Sequence, residues 1–449
     1  MNTTPQTRPR RQLGFWMCLA LVVGNIVGSG VYLLPASLAP YGLNSVVGWL
    51  ITSGGAILLA IVFARLAKMF PRAGGPYVYA RVAFGEGVGF LIAWGYWMGA
   101  WVGNAAIAIA TVAYLAELLP WIKNTAGAPA IASCVCVWLV TYLNWRGLRQ
   151  MGALQIVSTI LKLLPLLAII LLALWLLLTA DASVIKLEPQ PFSMAAINAS
   201  ATLTLWALLG LEAATVPAGS VENPERNIPL ATLWGTLIAA GVYILSCSVA
   251  VLLIPASQLA ESSAPFAEVV RMFLGDGPAG TLALFAFISG FGALNGWTLI
   301  QGEMPRVLAN EGIFPQIFAR ESRHGTPGTS LFITAGLVTV LILMNYSRSM
   351  VQIFTFIVLI ATSSYLIVYL SCAIAALKLS WQGELGEPGK RLSPLLLVAI
   401  VAALYSAWTL YGAGVAEFWW SVAMFAVGLP VYWAMKRRGP VIAAGDPVQ

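Results

Sequence analysis

The chain has 449 residues, 59% of them hydrophobic and only 9% charged, with a net charge of +7, whereas soluble domains carry about 25% charged residues. That balance cannot cover a water-facing surface and excludes an ordinary soluble enzyme or binding module. A run of about 20 apolar residues crosses a bilayer as a helix. A membrane barrel instead needs strands of about ten residues that alternate apolar and polar, and no such alternation is present. The expected fold class is an all-α membrane protein.

In chain order, the polar, arginine-containing stretch 1–12 reads as a cytoplasmic tail. Spans are expected at 13–36, 45–67, 87–118, 127–145, 152–179, 195–219, 229–254, 278–308, 329–346, 351–377, 394–413 and 416–435, with a second cytoplasmic tail at 436–449. The first span is long and followed by many others, so it reads as a retained helix and not a cleaved leader. Twelve spans put both termini on one side. If that side is the cytoplasm, nineteen Lys and Arg residues fall inside, from Arg8, Arg10 and Arg11 through Arg72, Arg81 and Arg149 to Lys390, Arg391 and Arg438, and only Lys123, Lys186, Arg271 and Arg348 fall outside. The basic balance therefore reports topology, not a nucleic-acid partner.

The five cysteines, Cys18, Cys134, Cys136, Cys247 and Cys372, all fall in apolar segments and read as small buried hydrophobes, with no disulfide framework, metal site or cofactor implied. The single histidine, His324, is placed on a cytoplasmic loop. An integral-membrane enzyme is disfavoured because no histidine cluster or pair of intramembrane carboxylates is present to do chemistry. A channel is disfavoured by the lack of pore-lining polar rings, and no G-x-x-x-x-G-K motif is present to bind ATP.

Two spans carry interruptions. Gly24, Asn25, Ile26, Val27, Gly28, Ser29 and Gly30 stand mid-way along the first. Three glycines in seven residues favour an unwound segment, and in a bilayer such a segment must face a cavity. The alternative is that the glycines only let helices pack closely. The sixth span carries Trp206, Ala207, Leu208, Leu209, Gly210, Leu211 and Glu212, and a carboxylate at that depth costs about 3 kcal/mol on insertion scales. Interruptions at corresponding places of two five-span halves form the pattern of an inverted-repeat transporter. Half-helix N-termini suit a carboxylate, opened C-termini present carbonyls to an ammonium, and a zwitterionic amino acid matches both.

These residues carry a resemblance along nearly the whole chain to the amino acid, polyamine and organocation superfamily, and within it to the basic amino acid/polyamine antiporters. The matching motifs are GNIVGSGVYLLPASLA from Gly24, PRAGGPYVYARVAFG from Pro71, YWMGAWVGN from Tyr96, TLWALLGLEAATV from Thr204, ENPERNIPLAT from Glu222, and GWTLIQG with ANEGIFPQIFA from Gly296 onward. The resemblance implies a ten-helix core over 13–377, with repeats at 13–179 and 195–377. Two additional helices follow at 394–435. It further implies alternating access, exchange of a basic amino acid such as arginine for a related amino acid or its decarboxylated amine such as agmatine, location in the inner membrane, and a homodimer. Residue by residue, it assigns substrate contacts to Asn25, Ile26, Gly28, Ser29, Gly30, Asn104, Trp206, Leu209 and Trp297, and gate roles to Tyr96 and Glu212.

The sequence departs from that pattern at Ala207, Ile107 and Ile360, each of which makes the far pocket less able to serve a guanidinium with five N–H donors. The run Thr362, Ser363, Ser364 and Tyr365 offers compensation. A further departure is Lys162, about ten residues from either end of the fifth span and too deep to reach either surface. An ammonium there loses its proton or finds carbonyl partners. Similarity to the light-chain exchangers and cationic amino-acid transporters implies that it stands in place of a sodium ion and ties the fifth span to the first. Glu212 leaves two readings open, a protonatable gate or a carboxylate that holds the broken sixth helix. The other reading of the whole chain is a proton-coupled or exchange carrier of neutral amino acids.

Overall fold

The computed structural model describes residues 14–28, 30–70, 74–147, 151–180, 182–186, 190–212, 221–345, 347–383 and 394–437. Ser29, the cytoplasmic candidates Arg8, Arg10, Arg11, Arg72, Arg149, Lys390, Arg391 and Arg438, and the 1–12 tail lie outside the described residues. The helices in order are α1 (Phe15–Ile26), α2 (Gly30–Leu38), α3 (Leu43–Met69), α4 (Pro76–Phe84), α5 (Glu86–Leu118), α6 (Pro120–Asn124), α7 (Ala128–Trp145), α8 (Met151–Thr179), α9 (Met194–Ala207), α10 (Pro224–Leu253), α11 (Ala256–Glu261), α12 (Pro265–Leu274), α13 (Asp276–Asn310), α14 (Gly328–Leu343), α15 (Met350–Trp381), α16 (Pro394–Tyr411) and α17 (Val415–Arg437).

Among the described residues there is no β-strand. Among the described residues, nine helices are long and apolar enough to cross a membrane: α3, α5, α7, α8, α10, α13, α15, α16 and α17. A tenth span results if α1 and α2, bent by 43° at a short break, count as one. The sixth and ninth expected spans correspond to the shorter helices α9 and α14. Hydropathy passed over α4, α6, α11 and α12 because none is long enough to span. Their ends nevertheless carry local signals. Proline opens α4, α6 and α12 at the first turn, where its missing N–H costs nothing, and α4 and α12 stop at Gly85 and Gly275, with φ of 89° and 84°.

The tertiary arrangement is organised around α5. Nearly all of its apolar stretch is buried, with α13 and α15 packed along it. Around this axis α1 leans on α10 and α9 on α3. At the other extreme, α17 is the least buried span and leaves Trp419, Trp420 and Trp433 exposed, as suits the edge of a bilayer.

Small residues set the close approaches, since hydrophobicity alone does not bring helices together in lipid. A Cβ on Gly48 of α3 would lie 2.3 Å from Ser200 Oγ and 3.1 Å from the Ala201 amide of α9, so this glycine fixes how near α9 approaches. Overpacking of this kind costs about 1–3 kcal/mol. Gly48→Ala is therefore expected to lower the melting temperature of the detergent-solubilised protein, whereas Gly54→Ala, with nothing within 4 Å of the added carbon, leaves it unchanged; equal melting temperatures for the two variants would refute the packing role.

Candidate functional site

The first break begins with one redirected hydrogen bond. Val27 N–H still reaches the Val23 carbonyl four residues back at 2.7 Å, but Gly28 N–H turns to Ile26 O at 2.8 Å. The Gly24 carbonyl, which Gly28 would serve in a continuous helix, is thereby freed. Lys162 Nζ of α8 donates to Gly24 O at 3.0 Å, and Tyr243 Oη of α10 donates to Ile26 O at 2.8 Å. Two side chains from other helices thus satisfy the end of α1, where water is not on hand to do so. On the far side of the break, the Tyr32 hydroxyl of α2 donates to the Lys162 carbonyl at 2.8 Å, and Tyr114 Oη of α5 donates to Tyr32 O at 2.9 Å.

The second break follows Ala207. Leu208 N–H bonds Leu205 O at 2.9 Å and Leu209 N–H bonds Trp206 O at 3.2 Å, a tightening to the three-residue pattern that ends many helices. Gly210 then turns with φ of 97°, a conformation open to glycine and strained for other residues. A Cβ there would meet the Asn25 carbonyl carbon at 3.4 Å. The second break therefore lies close against the first at Asn25.

At this junction lies a cavity lined by both breaks. The first break contributes Asn25, Ile26, Gly28, Gly30 and Val31, and the second contributes Trp206, Ala207 and Leu209. The other wall comes from Gly99, Ala100, Gly103 and Ile107 of α5, Trp297 of α13 and Tyr365 of α15. Seven residues expected to contact substrate, Asn25, Ile26, Gly28, Gly30, Trp206, Leu209 and Trp297, are thus brought to one space; Ser29 lies outside the described residues. Among the described residues, none of those that line the cavity carries a charge. Backbone groups and helix ends are left to meet a zwitterion, and aromatic faces to meet a cation.

The remaining expected residues lie behind the lining. Asn104 is fully buried and directed at α13, donating to Thr298 Oγ1 at 2.9 Å and to Gln301 Oε1 at 3.1 Å. Glu212, also fully buried, accepts from Tyr96 Oη at 2.8 Å and from the Tyr369 hydroxyl of α15. Phenols donating to both carboxyl oxygens join the second break to α5 and α15. Of the three departures, Ala207 and Ile107 line the cavity, but Ile360 does not. Of the run expected to compensate, Tyr365 lines the cavity, whereas Thr362, Ser363 and Ser364 do not, and the hydroxyls of Ser363 and Ser364 donate to the Leu359 and Ile360 carbonyls of their own helix.

Sequence reasoning missed Gly99 and Gly103. A Cβ on Gly103 would lie 2.7 Å from Trp206 Cη2, one on Gly99 2.9 Å from Tyr365 Cε2, and one on Gly30 2.2 Å from Trp206 Nε1. The Trp206 indole is thus held between two glycines of different helices. The signal was present in YWMGAWVGN, whose glycines recur at a four-residue spacing and so share one helix face.

The family model of amino acid permeases matches residues 13–435. The chain belongs to that family. It is 32% identical to a putative arginine/ornithine antiporter of Bacillus subtilis, over 94% of this chain and 96% of the relative. It is also 32% identical to a putrescine transporter, PotE, of Haemophilus influenzae over the same shares, and 34% identical to a cadaverine/lysine antiporter of Escherichia coli over 74% and 75%. The permease is therefore a multi-pass membrane transporter and not an enzyme. Because Trp206 rests directly on Gly103, Gly103→Ala is expected to displace the indole and weaken solute binding on the order of tenfold, read by titration of the purified permease; undiminished binding would show that the seat does not matter.

Proposed function

We propose that the permease exchanges a basic amino acid, with arginine and agmatine as the pair its motifs resemble, for a related amino acid or its decarboxylated amine by alternating access across the inner membrane. The observation that carries this reading is the cavity at the meeting of two broken helices. There the start of α2 offers N–H groups to a carboxylate, the end of α1 offers carbonyls to an ammonium, and Trp297 and Trp206 present faces on which the rest of a cation stacks, worth about 0.5–2 kcal/mol. Asn104 acts from behind the wall, through Thr298 and Gln301, and Tyr96 and Glu212 with Tyr369 form the gate.

The proposed architecture is twelve spans in which 13–179 and 195–377 are inverted repeats, followed by two helices over 394–435, with both termini cytoplasmic and two copies in a homodimer. Support for the repeat comes from the short helices that precede α5 and α13. In each, a glycine N–H closes on an arginine carbonyl four residues back, Gly85 on Arg81 at 2.8 Å and Gly275 on Arg271 at 3.1 Å. In each, the same arginine pairs with the acid just after the glycine, Arg81 with Glu86 at 3.4 Å and Arg271 with Asp276 at 3.0 Å.

Counterflow in proteoliposomes tests the exchange. Uptake of labelled arginine, lysine or putrescine is expected to rise when the vesicles are preloaded with a basic amino acid or diamine. Uptake indifferent to every internal solute but driven by an imposed pH gradient would sink exchange, and a response to internal leucine or alanine alone would transfer the permease to neutral amino acids. Lys162 fills the place of a cation at the α1 break, so exchange is expected to be equal in sodium and choline media and to be lost in Lys162→Ala. A variant that exchanges normally at every pH would end the coupling role.

A further inference from the structure

Among the residues of the cavity wall, Tyr365 of α15 carries a hydroxyl that the folded chain leaves unused. Tyr365 lines the cavity, is 1% exposed, and its hydroxyl has no hydrogen-bond partner. The two phenols whose rings meet it, Tyr96 and Tyr369, are both committed to Glu212. A buried hydroxyl without a partner costs free energy on the order of 1–3 kcal/mol, and a cost borne at a cavity wall is recovered when a ligand supplies the partner.

The Tyr365 ring is held in place from several sides. Gly99 leaves room for its edge, Tyr96 meets it edge to face at 5.1 Å and Trp297 at 6.4 Å between centroids, and Tyr369 lies 6.1 Å away. Tyr365 therefore stands between the cavity and the Tyr96–Glu212–Tyr369 layer, with its two neighbours in that layer bonded to the carboxylate. The other side chains of the wall from α5, α13 and α15 are Ala100, Ile107 and Trp297, and they offer an ammonium no hydroxyl oxygen.

We propose that the Tyr365 hydroxyl is the specificity-determining contact for the cationic end of the solute side chain, accepting a hydrogen bond from an aliphatic ammonium whose methylenes lie along Ile107 and Trp297. The breaks of α1 and α9 then hold the α-amino and carboxylate groups common to all amino acids, and Tyr365 distinguishes a charged side chain from an apolar one of equal length. The proposal rests on the reading of the permease as a carrier of basic solutes.

The test compares binding of L-lysine and L-norleucine, which share a four-carbon side chain and differ in the terminal ammonium, to the full-length permease and to Tyr365→Phe. The variant keeps the ring and its packing and removes one oxygen. Lysine binding is expected to weaken about tenfold or more, with norleucine binding unchanged. A lysine preference that survives in Tyr365→Phe would overturn the proposal while leaving the basic-solute reading intact, as would an equal loss for both amino acids, the mark of a merely structural ring. Norleucine bound as tightly as lysine by the unaltered permease would overturn both.

Discussion

The arrangement of this permease depends on supplying hydrogen-bond partners to a helix that opens inside a bilayer. An unpaired carbonyl in hydrocarbon costs several kcal/mol, and α1 exposes its last turn where it breaks. Lys162 and Tyr243 reach that turn from α8 and α10 and serve the Gly24 and Ile26 carbonyls. Because each donor belongs to a different helix, α1 is held in register with both. Tyr32 continues the set by bonding the Lys162 main chain, so α2 is tied to the same residue that secures α1.

This explains why a lysine is tolerated where a charge is ordinarily expensive. An ammonium has three donors and no acceptor, and an opened helix C-terminus has carbonyls to spare. The second break uses the opposite chemistry. Glu212 has only acceptors when ionised, and the hydroxyls of Tyr96 and Tyr369 come to it from α5 and α15. One break is thus secured by a donor and the other by an acceptor, and the solute cavity lies between them with no charge among the described residues that line it.

Much of this was legible in the sequence. The glycines of Gly24 to Gly30 and the polar Glu212 marked both breaks, and Lys162, too deep to snorkel, pointed to carbonyl partners. Less legible were contacts that depend on which face of a helix a residue occupies. Asn104 follows Gly103 by one position, and that step of about 100° takes it from the cavity to Thr298 and Gln301. Ile360 and Tyr365 differ in the same way, and only Tyr365 lines the cavity. Short helices such as α4 and α12 escaped because hydropathy registers length, whereas their signals are a proline at one end and a glycine at the other.

Gly210 faces Asn25 with no side chain of its own, and a Cβ there would come to 3.4–3.5 Å from the Asn25 main chain and Cβ. The spacing of the two breaks there is set by the absence of a side chain at position 210. On the wall formed by α5, α13 and α15, Gly99 and Gly103 are fixed by the rings of Tyr365 and Trp206, whereas Ala100 and Ile107 present side chains of their own. A change of side chain at Ala100 or Ile107 therefore alters what the cavity meets without touching the place where the two breaks come together.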